Sequence, residues 1–314
     1  MEVASDGVLI VDKPAGPTSF EVVDRVRRAL GAAKAGHTGT LDPAATGVLA
    51  VCVGEAVKLQ QFLTEGDKAY EATVAFGAAT DTEDAEGQVT ERGDPSSVSA
   101  ARVASALPGL VGELSQLPPM YSAVRVGGRR LHEAARAGLV VERRPRTVRV
   151  HAIELLSFEP ASGGIARARL AVRCGKGTYV RTLAAELGRR LGVPAHLEAL
   201  RRTAAGPFTL DRAIPLESAL ELARAGAGSL RERLVPLAEA VAHLPAVALA
   251  PSEVEGLSHG RPLPRRPPGP LCRALDEKGR LVAVCAPDPT GKRLRPVRVV
   301  VQPPDPTGVG DRKR

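Results

Sequence analysis

The chain has 314 residues, a formal net charge of +8 at neutral pH and a sequence pI near 9.7. This length predicts one large domain with a smaller appendage, or two comparable domains, and the basic balance favours a polyanionic partner such as nucleic acid. No stretch approaches the ~18 consecutive apolar residues of a membrane span, and no basic leader opens the chain, so a cytoplasmic location is expected. Arginine outnumbers lysine by 35 to 8, so an Arg-rich proteome would explain part of the charge equally well.

The first elements of the chain lead to a loop that holds one isolated acid. The stretch "GVLIVDKPAG" predicts a short buried strand that ends in a Pro/Gly turn. Thr18 and Glu21 form a capping box that opens a helix, and Gly31 is expected to end it. The loop "AGHTGTLDPAATG" then leads into the strand "GVLAVCVG". Because Pro43 restricts the backbone of Asp42 to extended conformations, this acid is predicted to lie at a loop corner.

The later elements predict an α+β fold. Strands are expected in "YEATVAFG", "PPMYSAVRV", "RTVRVHAIELLSF" and "RARLAVRCGKGTY", and helices in "VRTLAAELGRRLG" and "IPLESALELARAG". Since the strands are mostly not separated by single helices, a mixed, largely antiparallel sheet is favoured. From residue 246 short strands punctuated by Pro and Gly predict a small β-rich module. We therefore expect domains at 1–245 and 246–301 and a disordered tail at 302–314.

Two stretches resemble ligand-binding motifs but lack required residues. In "RCGKGTYV", Leu170 occupies the place of the first phosphate-loop glycine and Gly177 that of the Ser or Thr, which excludes such a loop. The acidic run at residues 81–87 has Ala85 at the fifth position of a calcium loop and Arg92 at the twelfth, so it is predicted to be a solvated loop closing a hairpin. The four cysteines are far apart, which predicts reduced structural thiols and no zinc site.

Two basic segments are candidates for nucleic-acid contact. Residues 125–149 hold eight Arg against two Glu, and residues 261–298 hold ten Lys or Arg against three acids. Either segment could track phosphates or form a solvated face. Tyr70 begins a strand and Tyr179 follows a Gly-Lys-Gly-Thr turn. Both positions suit stacking on a base, although core packing is the better interpretation for either ring taken alone.

The loop acid is also the main candidate for chemistry. His37 and Asp42 are five residues apart in one loop, which suits a shared pocket but not the helical spacing of two metal ligands. No Ser or Cys stands in a triad arrangement nearby. Asp42 would therefore have to act by itself, as nucleophile or base.

At "GHTGTLDPAATGVLAV" the chain closely resembles the bacterial TruB-type tRNA pseudouridine synthases, whose signature is G-H-T-G-x-L-D-P-x-A-T-G-x-L. Further blocks follow in family order: "LIVDKPAGPTSFEVV" before this loop, then "KAYEATVAFGAATDTEDAEG", "QLPPMYSAVRVGGRRLHEAAR", "GKGTYVRTLAAELG" and "AHLEALRRTAAGPF". The resemblance covers about residues 7–301, and residues 246–301 resemble a PUA-type RNA-binding module. It implies the pseudouridine synthase fold, isomerisation of uridine 55 in the TΨC loop of tRNA, and no metal or organic cofactor.

The resemblance also implies roles for single residues. Asp42 is implied to be the catalytic aspartate that attacks the flipped-out nucleoside. Arg181 pairs with this aspartate, and Tyr70 stacks on the uracil and is a candidate for removing the C5 proton. Four further residues are implied to bind the substrate or frame its pocket: His37, Tyr179, Leu200 and Lys13.

The implied partner is tRNA, contacted at its TΨC arm and its acceptor end, with no membrane and no obligatory protein partner, and a monomer is the default expectation. Arg125 and His132 depart from the usual family pattern, so the RNA contacts of that block stay open. Two alternatives share the catalytic blocks: a guide-RNA-dependent synthase of ribosomal RNA within a larger particle, and a tRNA-folding chaperone with secondary catalysis. Bacterial-type spacing favours the stand-alone tRNA enzyme.

Overall fold

The computed structural model describes four ranges of the chain: 6–120, 125–126, 129–130 and 141–300. Much of the Arg-rich 125–149 segment, including His132, and the predicted tail at 302–314 lie outside the described residues. None of the helices within those ranges is both long and apolar enough to cross a membrane.

A large mixed sheet dominates the first three quarters of the chain. The described residues form these strands: β1 (Gly7–Lys13), β2 (Ala35–His37), β3 (Thr46–Val53), β4 (Lys68–Phe76), β5 (Ala78–Thr80), β6 (Val89–Arg92), β7 (Gly112–Gln116), β8 (Arg125–Val126), β9 (Arg129–Arg130), β10 (Arg146–Ser162), β11 (Ile165–Cys174), β12 (Ala195–Ala205), β13 (Phe208–Thr209), β14 (Ile214–Pro215), β15 (Ala246–Ala248), β16 (Cys272–Leu275), β17 (Leu281–Pro287) and β18 (Leu294–Val299). The large sheet has the order β14-β1-β3-β12-β4-β11-β10-β7, with β13 beside β12 and β2 beside β3. Most neighbours run antiparallel, whereas β1 with β14 and β3 with β12 run parallel. The predicted α+β class with a mixed, largely antiparallel sheet is confirmed.

Helices pack against the large sheet and, in the case of α8, against the second sheet that follows it. Those in the described residues are α1 (Ser19–Ala29), α2 (Gln60–Thr64), α3 (Ala100–Ala106), α4 (Val180–Leu191), α5 (Leu216–Ala225), α6 (Ala227–Arg231), α7 (Leu237–Ala240) and α8 (Pro251–Ser258). The helices predicted from "VRTLAAELGRRLG" and "IPLESALELARAG" are α4 and α5.

The central strands are buried on both faces because each face carries its own hydrophobic cluster. In β1, Val8 and Ile10 pack with one cluster, whereas Leu9 and Val11 pack with a second cluster that includes Val26 of α1. A strand covered on both sides needs an almost continuous apolar sequence, which "GVLIVDK" supplies. The predicted buried strand at the N-terminus is therefore confirmed.

The start of α1 shows the capping box that the sequence predicts. The Oγ1 of Thr18 accepts from the amide of Glu21 at 3.2 Å, and the Glu21 carboxylate accepts from the amide of Thr18 at 2.7 Å. These bonds satisfy amides that the first turn of a helix otherwise leaves without partners. Gly31 follows the helix with a φ of +62°, the left-handed conformation that glycine adopts easily at a helix end.

A second sheet, with the strand order β15-β16-β17-β18, follows the large one in the chain. It begins at Ala246, beside the predicted boundary near residue 245. It has its own hydrophobic cluster, which includes Leu257 of α8. Its Leu281 and Val284 also pack in the cluster that contains Phe62 of α2, so the two sheets share apolar contacts.

Gly47, at the start of β3, makes close packing of β12 possible. Its φ is +101°, and a Cβ at this position would stand 2.2 Å from the carbonyl oxygen of Arg202. We expect Gly47→Ala to lower the free energy of unfolding by about 2–4 kcal/mol, because backbone strain and a backbone clash coincide, and urea denaturation measures this loss. The matched control is Gly31→Ala, where φ is also positive but no atom lies within 4 Å; equal losses in both variants would contradict the clash.

Candidate active site

A cavity of about 250 Å³ opens where the Asp42 loop (residues 38–45) meets β4, β12 and the start of α4. Five residues selected by the sequence analysis line it: Asp42, Tyr70, Tyr179, Arg181 and Leu200. They come from four separate stretches of the chain. The structure therefore brings five of the seven predicted site residues together and leaves His37 and Lys13 outside the lining.

The Asp42 loop is anchored from behind by the first turn of α1. The Oγ of Ser19 donates to the carbonyl oxygen of Leu41 at 2.9 Å and accepts from the amide of Leu41 at 2.8 Å. The amide of Ala45 donates to the carbonyl oxygen of Asp42 at 3.1 Å, which closes a turn. The backbone is thus fixed on both sides of Asp42, while the side chain stays 42% exposed at the cavity.

Lys13, at the end of β1, is fully buried and holds the far side of the same loop. Its Nζ donates to the carbonyl oxygens of Pro14 and Pro43 at 2.9 Å and of Ala45 at 2.8 Å. A buried ammonium group with three such partners holds the backbone beside the cavity, and a direct contact of Lys13 with the substrate stays a prediction. Burial lowers the pKa of Lys13 to about 8, although the nearby charge of Asp42 opposes the shift. In the structure, Lys13 fixes the backbone of the Asp42 loop.

Arg181, in the first turn of α4, bridges two carboxylates. Its side chain is only 5% exposed. One terminal nitrogen lies 3.3 Å from Oδ2 of Asp42, and the other donates to Oδ2 of Asp84 at 2.8 Å. The predicted pairing of Arg181 with Asp42 is therefore present, and Asp84 is an additional member that the sequence analysis missed.

Asp84 belongs to the acidic run at residues 81–87, for which the sequence predicted a solvated hairpin loop. The hairpin exists, since β5 pairs with β6, and Asp81, Ala85 and Glu86 are exposed, but the rest of the run is partly buried. The amide of Ala85 donates to the carbonyl oxygen of Leu197 in β12, and the amide of Leu197 donates to Glu83, both at 3.0 Å. These bonds bring Asp84 under Arg181, so the solvated interpretation of the whole run is wrong.

The charge state of Asp42 depends on this arrangement. Desolvation raises the pKa of its carboxyl group, the positive charge of Arg181 lowers that pKa, and the charge of Asp84 raises it again. Desolvation favours the neutral acid and an adjacent guanidinium favours the anion. The net effect raises the pKa of Asp42, and Arg181 is the largest of the charges that oppose this rise and favour the ionised carboxylate.

Aromatic and apolar side chains form the rest of the wall. Tyr70 of β4 and Leu200 of β12 pack on one hydrophobic cluster beside the cavity. Burial raises the pKa of the Tyr70 phenol, and the positive charge of Arg202 opposes this shift. Tyr179 precedes α4, and its backbone is fixed by Gln116 of β7, whose side chain accepts from the Tyr179 amide at 2.9 Å and donates to its carbonyl oxygen at 3.2 Å. Two rings and an apolar wall suit a planar base.

His37 ends β2 and does not line the cavity. Its Nδ1 accepts from the amide of Gly39 at 3.3 Å, and burial lowers the pKa of its imidazole. The shared pocket expected for His37 and Asp42 is therefore not observed. A contact between His37 and flipped-out loop nucleotides stays a prediction.

Two further residues at the site, Asp84 and Arg202, were not found from the sequence. Asp84 had no local signal, because Arg181 lies 97 positions further along the chain. Arg202 lies in the block "AHLEALRRTAAGPF", in which only Leu200 was given a role. Among the residues that the structure describes, no three His, Cys, Asp or Glu side chains are placed to hold a metal ion.

Three family models match consecutive parts of the chain. The model described as TruB family pseudouridylate synthase (N terminal domain) matches residues 27–180. The tRNA pseudouridylate synthase B C-terminal domain model matches residues 181–242, and the model described as tRNA Pseudouridine synthase II, C terminal, matches residues 244–301.

Relatives described as tRNA pseudouridine synthase B align with most of the chain. The protein of Bacillus licheniformis is 44% identical over 307 residues, which cover 95% of this chain and 98% of the relative. The protein of Symbiobacterium thermophilum is 50% identical over 81% of this chain and 82% of the relative.

Solved structures share the fold. A chain of the "Crystal Structure of a Cbf5-Nop10-Gar1 Complex" superposes with a TM-score of 0.72 at 30% identity, covering 95% of this chain and 86% of that chain. A chain of the "Structure of H/ACA RNP bound to a substrate RNA containing 2'-deoxyuridine" gives a TM-score of 0.71 at 28% identity with the same coverage.

Proposed function

The chain belongs to the TruB family of pseudouridylate synthases, and from this premise we propose that it converts a uridine of tRNA to pseudouridine with Asp42 as the attacking carboxylate. The observation that carries the proposal is the Asp42 carboxylate, held by Arg181 at a cavity lined with two tyrosine rings. The finer proposal is that the target is uridine 55 in the TΨC loop.

The reaction breaks the bond between C1′ and N1 and joins C1′ to C5 of the same uracil, so it needs no second substrate. A carboxylate can attack an electrophilic carbon of the nucleoside, at C6 of the base or at C1′ of the sugar, as carboxylates do in glycoside chemistry. After the base has rotated, C5 still carries a proton. The phenolate form of Tyr70, which lines the same cavity as Asp42, is the proposed acceptor of this proton and becomes the neutral phenol.

The cavity requires the uridine to leave its RNA loop. Neither C1′ nor C5 is accessible while the base is stacked, and extruding a base costs a few kcal/mol. A cavity of about 250 Å³ lined by Tyr70, Tyr179 and Leu200 admits one base and offers it stacking and apolar contact. These contacts offset part of the cost of extrusion.

Basic side chains on the second sheet favour a contact with the rest of the tRNA. Several are exposed on or beside this sheet: Arg261, Arg266, Lys292, Arg293, Arg295 and Arg298. We propose that residues 246–301 form a separate RNA-binding domain that tracks phosphates near the acceptor end, and that the Arg-rich 125–149 segment contacts the backbone of the TΨC arm. A tRNA substrate also favours the cytoplasmic location expected from the sequence.

The proposed enzyme works alone, as a monomer and without a guide RNA. The relatives described as tRNA pseudouridine synthase B support a tRNA enzyme over the guide-dependent alternative. The similar solved chains, in contrast, were described in complexes with other components.

The test uses the purified chain and an unmodified tRNA transcript with no other protein or RNA. Carbodiimide modification followed by primer extension should reveal one new pseudouridine, at position 55, and none in a transcript that carries cytidine there. A requirement for an added guide RNA or protein would instead favour the guide-dependent alternative, and binding without any product would favour the chaperone.

The buried Lys13 predicts a pH dependence of the rate. A protonated ammonium group has three N–H bonds for its three carbonyl partners, whereas the neutral amine has two. Because the pKa of Lys13 is lowered to about 8, we expect kcat to fall as the pH rises through about 8, as the loop loses an anchor. In a single-turnover pH series, Lys13→Met should be slow at every pH and show no such decline; a decline that persists in this variant would assign it to another group.

A further inference from the structure

Arg202 is among the largest side chains that are almost fully buried, at 2% exposure. It lies in β12, where its backbone partners are Gly47 of β3 and Tyr70 of β4. Its neighbour Arg201 is 41% exposed and pairs with Asp12 at 2.7 Å. The two arginines therefore stand in different environments, and only Arg202 points into the interior behind the cavity.

The partners of Arg202 are neutral groups from two parts of the active site. Its Nε donates to the carbonyl oxygen of Val48 at 2.7 Å, and its terminal nitrogens donate to the carbonyl oxygens of Thr40 at 3.2 Å and Gly39 at 3.0 Å. Its side chain also lies beside the Tyr70 ring, because the two residues stand directly opposite each other in β12 and β4 and both line the cavity. Among the described residues, no carboxylate forms an ion pair with Arg202.

Burying a cation without an ion-pair partner destabilises the folded protein. An apolar side chain would be more stable at this position if packing were its only role. The neighbouring strand leaves room for the backbone of Arg202. Gly47 allows the backbone of Arg202 to approach, since a Cβ there would stand 2.2 Å from the Arg202 carbonyl oxygen. The planar guanidinium then presents its N–H bonds in a fixed fork, which suits several carbonyl oxygens at once.

Arg202 and Lys13 hold the Asp42 loop from opposite ends. Lys13 binds carbonyl oxygens after Asp42, at Pro43 and Ala45. Arg202 binds carbonyl oxygens before Asp42, at residues 39 and 40. Of the two, only Arg202 also stands opposite Tyr70 in the sheet and lines the cavity beside it, so it alone connects the loop to the ring.

We propose that Arg202 is a positioning residue that holds the Asp42 loop and the Tyr70 phenol in one fixed geometry. The inference rests on the proposed function, because it assigns Arg202 to the same reaction. The hydrogen bonds to residues 39 and 40 hold the guanidinium beside the Tyr70 ring. The adjacent positive charge also favours the phenolate over the neutral phenol, which helps Tyr70 to accept the C5 proton.

The test compares Arg202→Lys and Arg202→Met with the matched control Arg201→Lys. We expect Arg202→Lys to lower kcat by about 100-fold while the Kd for tRNA changes by less than about threefold, and Arg201→Lys to change kcat by less than about threefold. Deuterium at C5 of uridine should slow Arg202→Lys more than wild type, because C5 deprotonation becomes rate-limiting. A loss confined to KM, or an unchanged isotope effect, would overturn the proposal.

A double-mutant cycle with Tyr70→Phe tests the link directly. If Arg202 acts through the phenol, the double variant should be slower than Tyr70→Phe alone by much less than 100-fold. Independent, multiplicative losses would show that Arg202 serves only the general fold. If Arg202→Met does not fold, as judged by thermal unfolding, the charge-retaining Arg202→Lys carries the comparison.

A spectroscopic readout separates this inference from the proposed function. The chain has three tyrosines, so 3-fluorotyrosine labelling gives three assignable 19F resonances in the free protein. The Tyr70 resonance should shift in Arg202→Lys and stay in place in Arg201→Lys, whether or not tRNA is modified. An unmoved Tyr70 resonance would overturn the positioning role, whereas a wild-type protein that modifies no tRNA would overturn only the proposed function.

Discussion

Asp42→Asn will abolish pseudouridine formation while leaving the affinity for tRNA within about threefold of wild type. Asparagine has nearly the same shape and remains polar, so the cavity and its RNA contacts persist. It lacks the anionic oxygen that attacks the nucleoside. Loss of a covalent nucleophile typically lowers kcat by about 10⁴-fold or more, far more than a change in binding would explain.

Single-turnover rates and filter binding on the same tRNA transcript measure both parts of this expectation. The matched control is Asp211→Asn, because Asp211 is an exposed aspartate that does not line the cavity. It should retain the wild-type rate. An Asp42→Asn protein with more than about 1% of wild-type activity would show that another group performs the attack.

Arg181→Met will lower kcat by about 10²- to 10³-fold and will also destabilise the protein. The substitution leaves two carboxylates, Asp42 and Asp84, near each other without the cation that lies between them. Breaking a buried ion pair by removing one partner costs about 3 kcal/mol or more. The side chain of Asp84 is 15% exposed, so most of this cost should appear in urea denaturation.

The pH profile of Arg181→Met supplies a second readout. Asp42 must be ionised to attack, so activity is lost as the pH falls through its pKa. Removing the positive charge raises that pKa further, and the acid limb should therefore move to higher pH than in wild type.

The double variant Arg181→Met with Asp84→Asn is the matched control for stability. It removes the unpaired charge at Asp84, so it should regain much of the lost stability without regaining the rate. If the double variant regained both the free energy of unfolding and kcat, Arg181 would act only through folding. If Arg181→Met alone kept more than a fifth of wild-type kcat, its role at Asp42 would be contradicted.

Elements whose signals are local could be predicted well. The capping box of α1 and the continuous apolar sequence of β1 depend on residues within a few positions of each other. The strand β12 was not predicted because "AHLEALRRTAA" contains alanine, leucine and arginine, which favour helices, and because register shifts after Leu197 and Arg202 break its alternation. Pairing with β4 along its whole length overrides that local preference.

The site was predictable only in part, because it depends on contacts between residues that are far apart in the sequence. Asp42 stood out as an isolated acid before a proline, but its partners came from the family resemblance, since they lie far away in the chain. Asp84 looked like part of a solvated acidic run, and Lys13 was implied only by the family resemblance, as a residue at the substrate pocket. Both are held inside by contacts with distant backbone and side chains, which local charge patterns do not reveal.

The measurement that tests the central claim most directly is the release of tritium from tRNA labelled at C5 of uridine. The bond between C1′ and C5 can form only if C5 loses its hydrogen, so each turnover at a labelled uridine releases one label to water. We predict release by wild type, none by Asp42→Asn, and none from a transcript with cytidine at position 55. Release that continues in Asp42→Asn, or from the cytidine-55 transcript, would contradict the assignment of the residue or of the target.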